Sequence, residues 1–217
     1  MNPPYKLVEK AITEVHAKFL YEYFNIRNEA TKYLLKNKLV ERHPIHGDFD
    51  EGDGLSPKSP YVIYGDPMFD LEMMEQLETV KSESGEDLMP MVSYARLYTK
   101  DDELIRHTDR IWNRKITATV HLGSEGSNNS WPLYVQSLEG ETAEVHLKVG
   151  DMLVYVGECQ HWREPCEHDN YGQLMLHYTQ KGSVTPENEP VEILDGRSYL
   201  GTPCSWLDKQ SNLKKME

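Results

Sequence analysis

The sequence is short of cysteine, of phenylalanine and of positive charge. Its three cysteines, Cys159, Cys166 and Cys204, cannot form a disulfide framework and suit a reducing compartment. Only 23 Lys and Arg stand against 36 Asp and Glu, a formal net charge of −13. That balance counts against gripping a nucleic-acid backbone, which needs clustered cations. It leaves room for a local basic pocket that takes a small anion. No apolar run approaches the roughly 20 residues needed to span a bilayer. The opening stretch MNPPYKLVEKAITEVHAKF is charged throughout and has no apolar signal core. A soluble, cytoplasmic protein that neither enters a membrane nor binds a nucleic-acid backbone is expected. No internal repeat or low-complexity tract is present, and 217 residues suffice for one domain with a real core.

What is present changes texture along the chain. Over residues 5–39, Leu7, Ala11, Ile12, Val15, Phe19, Leu20 and Phe24 fall near helical spacing with charges between them. Residues 43–60 read as a polar Gly/Pro loop. Met68, Leu71, Met74 and Leu77 predict a second helix over 67–81. After Pro90 the segments become short and β-rich. MVSYARLY (91–98), KITATVHL (115–122), WPLYVQSL (131–138), AEVHLKV (143–149), DMLVYV (151–156) and QLMLHYTQ (173–180) read as strands. The stretches 123–130 and 138–141 supply turns, and Asp151 reads as a turn residue. The expected fold class is α+β with a mainly β core: a jelly roll buttressed by N-terminal helices. It divides into a helical buttress and loop over 1–89, a barrel over 90–182 and an irregular extension over 183–217, with a short turn at 205–209.

The sharpest chemical feature is His107-Thr108-Asp109. Residues i and i+2 of an extended chain point to the same side, so an H-x-D at a strand end aims an imidazole and a carboxylate at one point. The best third ligand is His161, in GECQHWREP after the strand DMLVYV. Two imidazoles and a carboxylate on one face of an octahedral iron leave open positions for a chelating cosubstrate and O₂. H-x-D alone is a weak signal, and a solvated His beside a turn Asp is its plain alternative. The order strand, H-x-D, strands, Gly-Asp turn, strand, His, strand strengthens it.

Over about 93–178 the chain resembles the 2-oxoglutarate/Fe(II)-dependent dioxygenases, most closely their prolyl-hydroxylase-like branch. The resemblance rests on YTKDDELIRHTDRIWNRKITATVHLG and VGDMLVYVGECQHWREP, and on the HTDR…HWREP…HY pattern of small bacterial and viral members. It implies a double-stranded β-helix with His107, Asp109 and His161 as iron ligands. It implies a hydroxylase-type reaction using Fe(II), O₂ and 2-oxoglutarate, which leaves as succinate and CO₂. The substrate, a small molecule or a peptidyl group, cannot be read from the sequence. Tyr98 matches the family's cosubstrate-facing Tyr, and His121 stands where the family often has a cosubstrate-binding Tyr. Thr119 and Thr117 alternate with His121 along one strand, and Gln173 could donate from the last strand. His121 as a hydrogen-bonded core residue is the competing reading. His177 and Tyr178 read as wall or packing.

The chain departs from the family at the basic residue that grips the cosubstrate's distal carboxylate. Members carry an Arg or Lys roughly 9 to 12 residues after the distal His. Here that region reads Asp169-Asn170-Tyr171-Gly172-Gln173. A buried carboxylate without cation or donors is costly. Arg163 is the first substitute, pointing to the same side as His161, and a surface salt bridge to Glu164 or Glu167 is its competing reading. Arg96, alternating with Tyr94 and Tyr98, is the second, with an internal structural ion pair as its alternative. Arg114 and Lys115 come third. Trp131, Tyr134, Trp162 and Tyr155 could form an aromatic rim, although Tyr155 reads better as core.

Three rivals remain open. Cys159, His161, Cys166 and His168 could suit tetrahedral zinc, but C-x-H is not a zinc-knuckle spacing and leaves His107 and Asp109 unexplained. A jelly-roll binding protein that has lost catalysis would fit the missing late Arg. A cupin-type metalloenzyme that does not use 2-oxoglutarate would more often carry three histidines.

Overall fold

The computed structural model describes residues 3–39, 54–58, 61–109 and 114–197. Cys204, the turn expected at 205–209 and most of the loop 43–60 lie outside the described residues. Ten strands and three α-helices are seen among the described residues. They are β1 (Tyr5–Val8), α1 (Glu14–Lys36), β2 (Tyr61–Tyr64), α2 (Pro67–Glu75), α3 (Leu77–Ser84), β3 (Leu88–Thr99), β4 (Leu104–His107), β5 (Ile116–Glu125), β6 (Leu133–Gln136), β7 (Thr142–Val145), β8 (Met152–Val156), β9 (Gln160–Arg163) and β10 (Asn170–Gln180). All strand pairs are antiparallel. They form a six-stranded sheet, β1-β8-β5-β10-β3-β2, and a four-stranded sheet, β4-β9-β6-β7. This is a mainly β jelly roll with open sheets and helices packed on the larger one.

Alternation along the strands of the larger sheet sorts its side chains into two worlds. Ala95 and Leu97 on β3, Ile116, Ala118, Val120 and Leu122 on β5, and Leu174 and Leu176 on β10 share one core with the helices. Leu20 and Phe24 of α1, Phe69 and Met73 of α2 and Val80 of α3 complete it. The opposite parity is polar and equally buried: Arg96, Thr117, Thr119, His121, Gln173 and His177 face the space between the sheets. A face that buries this many polar groups, beside Leu153 and Tyr155, needs something for them to hold.

The N-terminal region differs from its sequence reading in two places. Residues 5–8 are a strand, because Tyr5 to Val8 pair with Tyr155 to Met152 along the open edge of β8. Thr13 then caps α1, its side chain accepting from the His16 amide. The helix expected over 67–81 breaks at Gln76, which ends α2 and starts α3, and Gly85 closes α3 with φ 73°. The sheet also takes strands from both sides of residue 90, since β1 and β2 join it. Beyond β10 the chain returns to the helices: Arg197, buried, pairs with Asp70 of α2 at 2.6 Å and donates to the Met91 carbonyl.

Candidate metal centre

β4 and β9 lie side by side in the smaller sheet with His107 opposite His161. Their ring centroids are 4.2 Å apart. Asp109, two residues beyond His107, is pinned by its own amide, which donates to the Gly157 carbonyl at 2.8 Å. Gly157 follows β8, so the larger sheet sets where the carboxylate sits and the smaller sheet sets the imidazoles. One ligand atom from each of His107, Asp109 and His161 lies within 4.8 Å of the others.

The hydrogen bonds orient these ligands. His107 Nδ1 lies 2.7 Å from the Ile105 carbonyl and His161 Nδ1 lies 3.0 Å from the Cys159 carbonyl. A carbonyl only accepts, so each ring carries its proton on Nδ1 and keeps the Nε2 lone pair for a metal. Asp109 Oδ2 accepts from the Thr117 hydroxyl at 2.6 Å, and Arg114 stands 3.8 Å from Oδ1. Burial pushes the Asp109 carboxyl up. The electrostatic influence of the His161 and His177 rings, the Arg114 charge and the Thr117 hydrogen bond outweigh burial and hold it below the ordinary carboxylate range. Burial and the neighbouring His161 bring His107 down to about 4, so it is neutral at pH 7. Two imidazoles and one carboxylate are the donor set of a facial triad.

The triad opens into a pocket whose walls include Tyr94, Arg96, Tyr98, Thr119, Gln173 and His177. Arg96 is 2% exposed and donates to the Tyr98 hydroxyl at 3.1 Å and the Tyr94 hydroxyl at 3.3 Å. Gln173 donates to the Thr119 hydroxyl. Arg163 and His121 are buried outside that lining. Arg163 is 1% exposed and turns inward, where its guanidinium carbon lies 4.5 Å from the Trp131 ring and 5.0 Å from the Tyr171 ring. One of its terminal nitrogens donates to the Trp131 carbonyl, while Nε and Nη2 have no hydrogen-bond partner among the described residues. His121 stacks on Tyr171 at 4.2 Å and bonds the Leu147 carbonyl through Nδ1 at 3.1 Å. Arg114 lines the pocket and donates to the Tyr64 hydroxyl at 3.1 Å.

The expected aromatic rim does not exist as one surface. Trp131 is buried against Tyr98, Tyr171 and Arg163, Tyr155 is buried beside His161 at 4.8 Å, and Tyr134 stacks with Trp162 at 5.4 Å. The four residues of the zinc alternative are not brought together either. Among the described residues, His107, Asp109 and His161 are the one group of three or more with converging ligand atoms. Sequence reasoning passed over Gly157, which clamps Asp109, and the linkage of Thr117 to His177. Both of the latter have the inward parity of their strands, so alternation pointed to them.

Among solved structures, the fold is similar to a prolyl-4-hydroxylase from Pseudomonas putida. The TM-score is 0.60 at 13% identity, over 82% of this chain and 92% of that one. It is similar to EctD from S. alaskensis, with TM-score 0.59 at 12% identity over 93% and 83%. The carbocyclase SnoK from nogalamycin biosynthesis, non-haem and alpha-ketoglutarate dependent, gives TM-score 0.57 at 13% identity over 93% and 89%. No protein-family model and no curated protein matches the sequence. At such identities the likeness shows the fold, which is that of the 2-oxoglutarate/Fe(II) oxygenases.

Proposed function

We propose that this chain is an Fe(II)- and 2-oxoglutarate-dependent oxygenase of hydroxylase type. The observation that carries the reading is the convergence of His107, Asp109 and His161, with both imidazoles held through Nδ1 and free at Nε2. The donor set fits iron and leaves positions for a chelating cosubstrate. When bound, iron would supply the O₂ activation that couples conversion of 2-oxoglutarate to succinate and CO₂ with substrate oxidation. His107, Asp109 and His161 would hold the metal, and Thr117 would keep Asp109 turned toward it. The free Cys159 and Cys166 thiols are compatible with a reducing cytoplasm.

Arg163 is the group we assign to the distal carboxylate of 2-oxoglutarate. It lies two residues beyond His161 on β9, roughly 6.7 Å along the strand. Two of its buried nitrogens lack partners among the described residues, an arrangement that is costly unless an anion completes it. Arg96 is the second reading, because it lines the pocket itself. The test is anaerobic titration of the Fe(II) protein with 2-oxoglutarate, followed by the weak visible charge-transfer band. His107→Ala or Asp109→Ala should abolish the band. Arg163→Ala should raise the half-saturating 2-oxoglutarate concentration at least ten-fold with iron still bound. An unchanged value for Arg163→Ala and a raised one for Arg96→Ala would transfer the assignment to Arg96. Failure to release succinate in air, with the band intact, would favour a binding protein.

A further inference from the structure

Asp109, Thr117 and His177 form a hydrogen-bonded row whose proton positions can be deduced from one end. A carboxylate that serves as a metal ligand carries no proton, so Asp109 Oδ2 can only accept. Thr117 Oγ1, 2.6 Å away, must therefore donate to it. A hydroxyl has a single proton. Having given it to Asp109, Thr117 can only accept from His177 Nδ1, which lies 3.0 Å on its other side. His177 thus carries a proton on Nδ1. Burial, and next the charge of Arg114, bring its pKa down to about 3, which keeps the ring neutral. A neutral imidazole protonated at Nδ1 has a lone pair at Nε2. His177 lines the same pocket as the three candidate ligands, and its Nε2 has no hydrogen-bond partner among the described residues.

We infer that His177 is a substrate-reading residue: its Nε2 accepts a hydrogen bond from a neutral O–H or amide N–H of the primary substrate. Arg114 and Asp109 line the same pocket, and at His177 the Arg114 charge outweighs that of Asp109, so a neutral alcohol, phenol or amide fits better than an ammonium. This deepens the oxygenase reading and rests on it only for the word substrate. The tautomer follows from the hydrogen-bond row and an ionised Asp109, whose carboxyl is held below the ordinary carboxylate range without any metal.

The test is ¹⁵N-histidine NMR of the full chain loaded with Zn(II) as a diamagnetic stand-in. The probes are acetamide, N,N-dimethylacetamide and ethylammonium. The His177 signal is identified by its loss in His177→Gln or, should that variant fold poorly, by its selective shift in Thr117→Val. We expect the Nδ1–H tautomer from pH 6 to 8 and a saturable shift of Nε2 with acetamide, with no matching response to the other two probes. An Nε2–H tautomer, an imidazolium at pH 7, no saturable response to acetamide, or equal responses to all three probes would overturn the inference. Thr117→Val should release the tautomer preference. Because none of these readings needs turnover, a protein that decarboxylates no 2-oxoglutarate would sink the oxygenase reading and leave the tautomer result standing.

Discussion

A Cβ built on Gly157 would overlap the Arg114 carbonyl oxygen and come within 3.2 Å of the Asp109 Cβ. The Gly157 carbonyl accepts from the Asp109 amide, and its amide donates to the Lys115 carbonyl at 2.8 Å. Gly157→Ala must therefore push apart the segment that carries a candidate ligand. Overpacking of this kind costs about 1–3 kcal/mol. We expect a lower urea midpoint and at least ten-fold weaker Zn(II) binding by calorimetry, whereas Gly140→Ala, strained only by its φ of +94° with nothing within 4 Å, should lower the midpoint and leave metal affinity unchanged. Titration is a second matter settled residue by residue. His121 is brought to about 4 and His177 to about 3, burial being the first cause for both. The unfolded chain takes up these protons near pH 6.5, and the folded one refuses them until far lower pH. Stability is then complete above about pH 6.5 and falls as pH drops toward 4. The urea midpoint of the metal-free protein should be clearly lower at pH 4.5 than at pH 7.5, and His121→Phe should flatten that dependence.

At the scale of elements, α1 packs on the larger sheet through Ala17, Leu20, Tyr21 and Phe24, and the Tyr21 ring is the one seated on glycines. Tyr21 lies over Gly123 of β5 and Gly172 of β10, and an added Cβ would sit 2.8 Å and 2.6 Å from its ring at those two positions. The glycines make a shallow seat that a side chain would fill. Truncating a buried aromatic costs about 3–5 kcal/mol, so Tyr21→Ala should lower the denaturation midpoint strongly. Zn(II) affinity of the fraction that remains folded should stay near wild type, because no ligand stands on α1. Much at this scale was legible in advance. The inward parity of Arg96, Thr119, His121 and Gln173 follows from strand alternation, and β3, β5, β8 and β10 fall where β-branched and aromatic residues cluster. The strand β1 was not legible, because Leu7 also fits a helical stripe and its pairing partner on β8 is almost 150 residues away in sequence. The break at Gln76 was hidden for a related reason: the apolar spacing of Met68 to Leu77 runs straight through it. The four-residue strands β4 and β9 were missed because their pairing depends on a neighbour distant in the chain. Their ligands were found nonetheless, since H-x-D is a local pattern.

For the whole molecule, the net charge of −13 describes the surface, while the barrel interior holds Arg96 and Arg163 almost without exposure. The metal centre joins what the charge separates. His107 and His161 stand on the smaller sheet, and Asp109 is fastened to the larger one through Gly157 and Thr117. A cation bound by all three would cross-link the two sheets, and only the folded barrel offers that set. Binding to the folded state alone stabilises by mass action, about 2.7 kcal/mol at a free concentration one hundred times Kd. For a protein of this size each kcal/mol moves Tm by about 2–4 °C. Fe(II) under argon, or Zn(II) in air, should thus raise Tm by roughly 5–11 °C at that saturation. Chelation with EDTA should reverse the rise. Asp109→Ala should abolish it, because the sheet-to-sheet link is lost even though both imidazoles remain. Arg163→Ala should keep it, because the guanidinium is assigned to the cosubstrate and not to the metal. A full shift in the Asp109→Ala protein would place the cation elsewhere and remove the structural basis for the oxygenase reading.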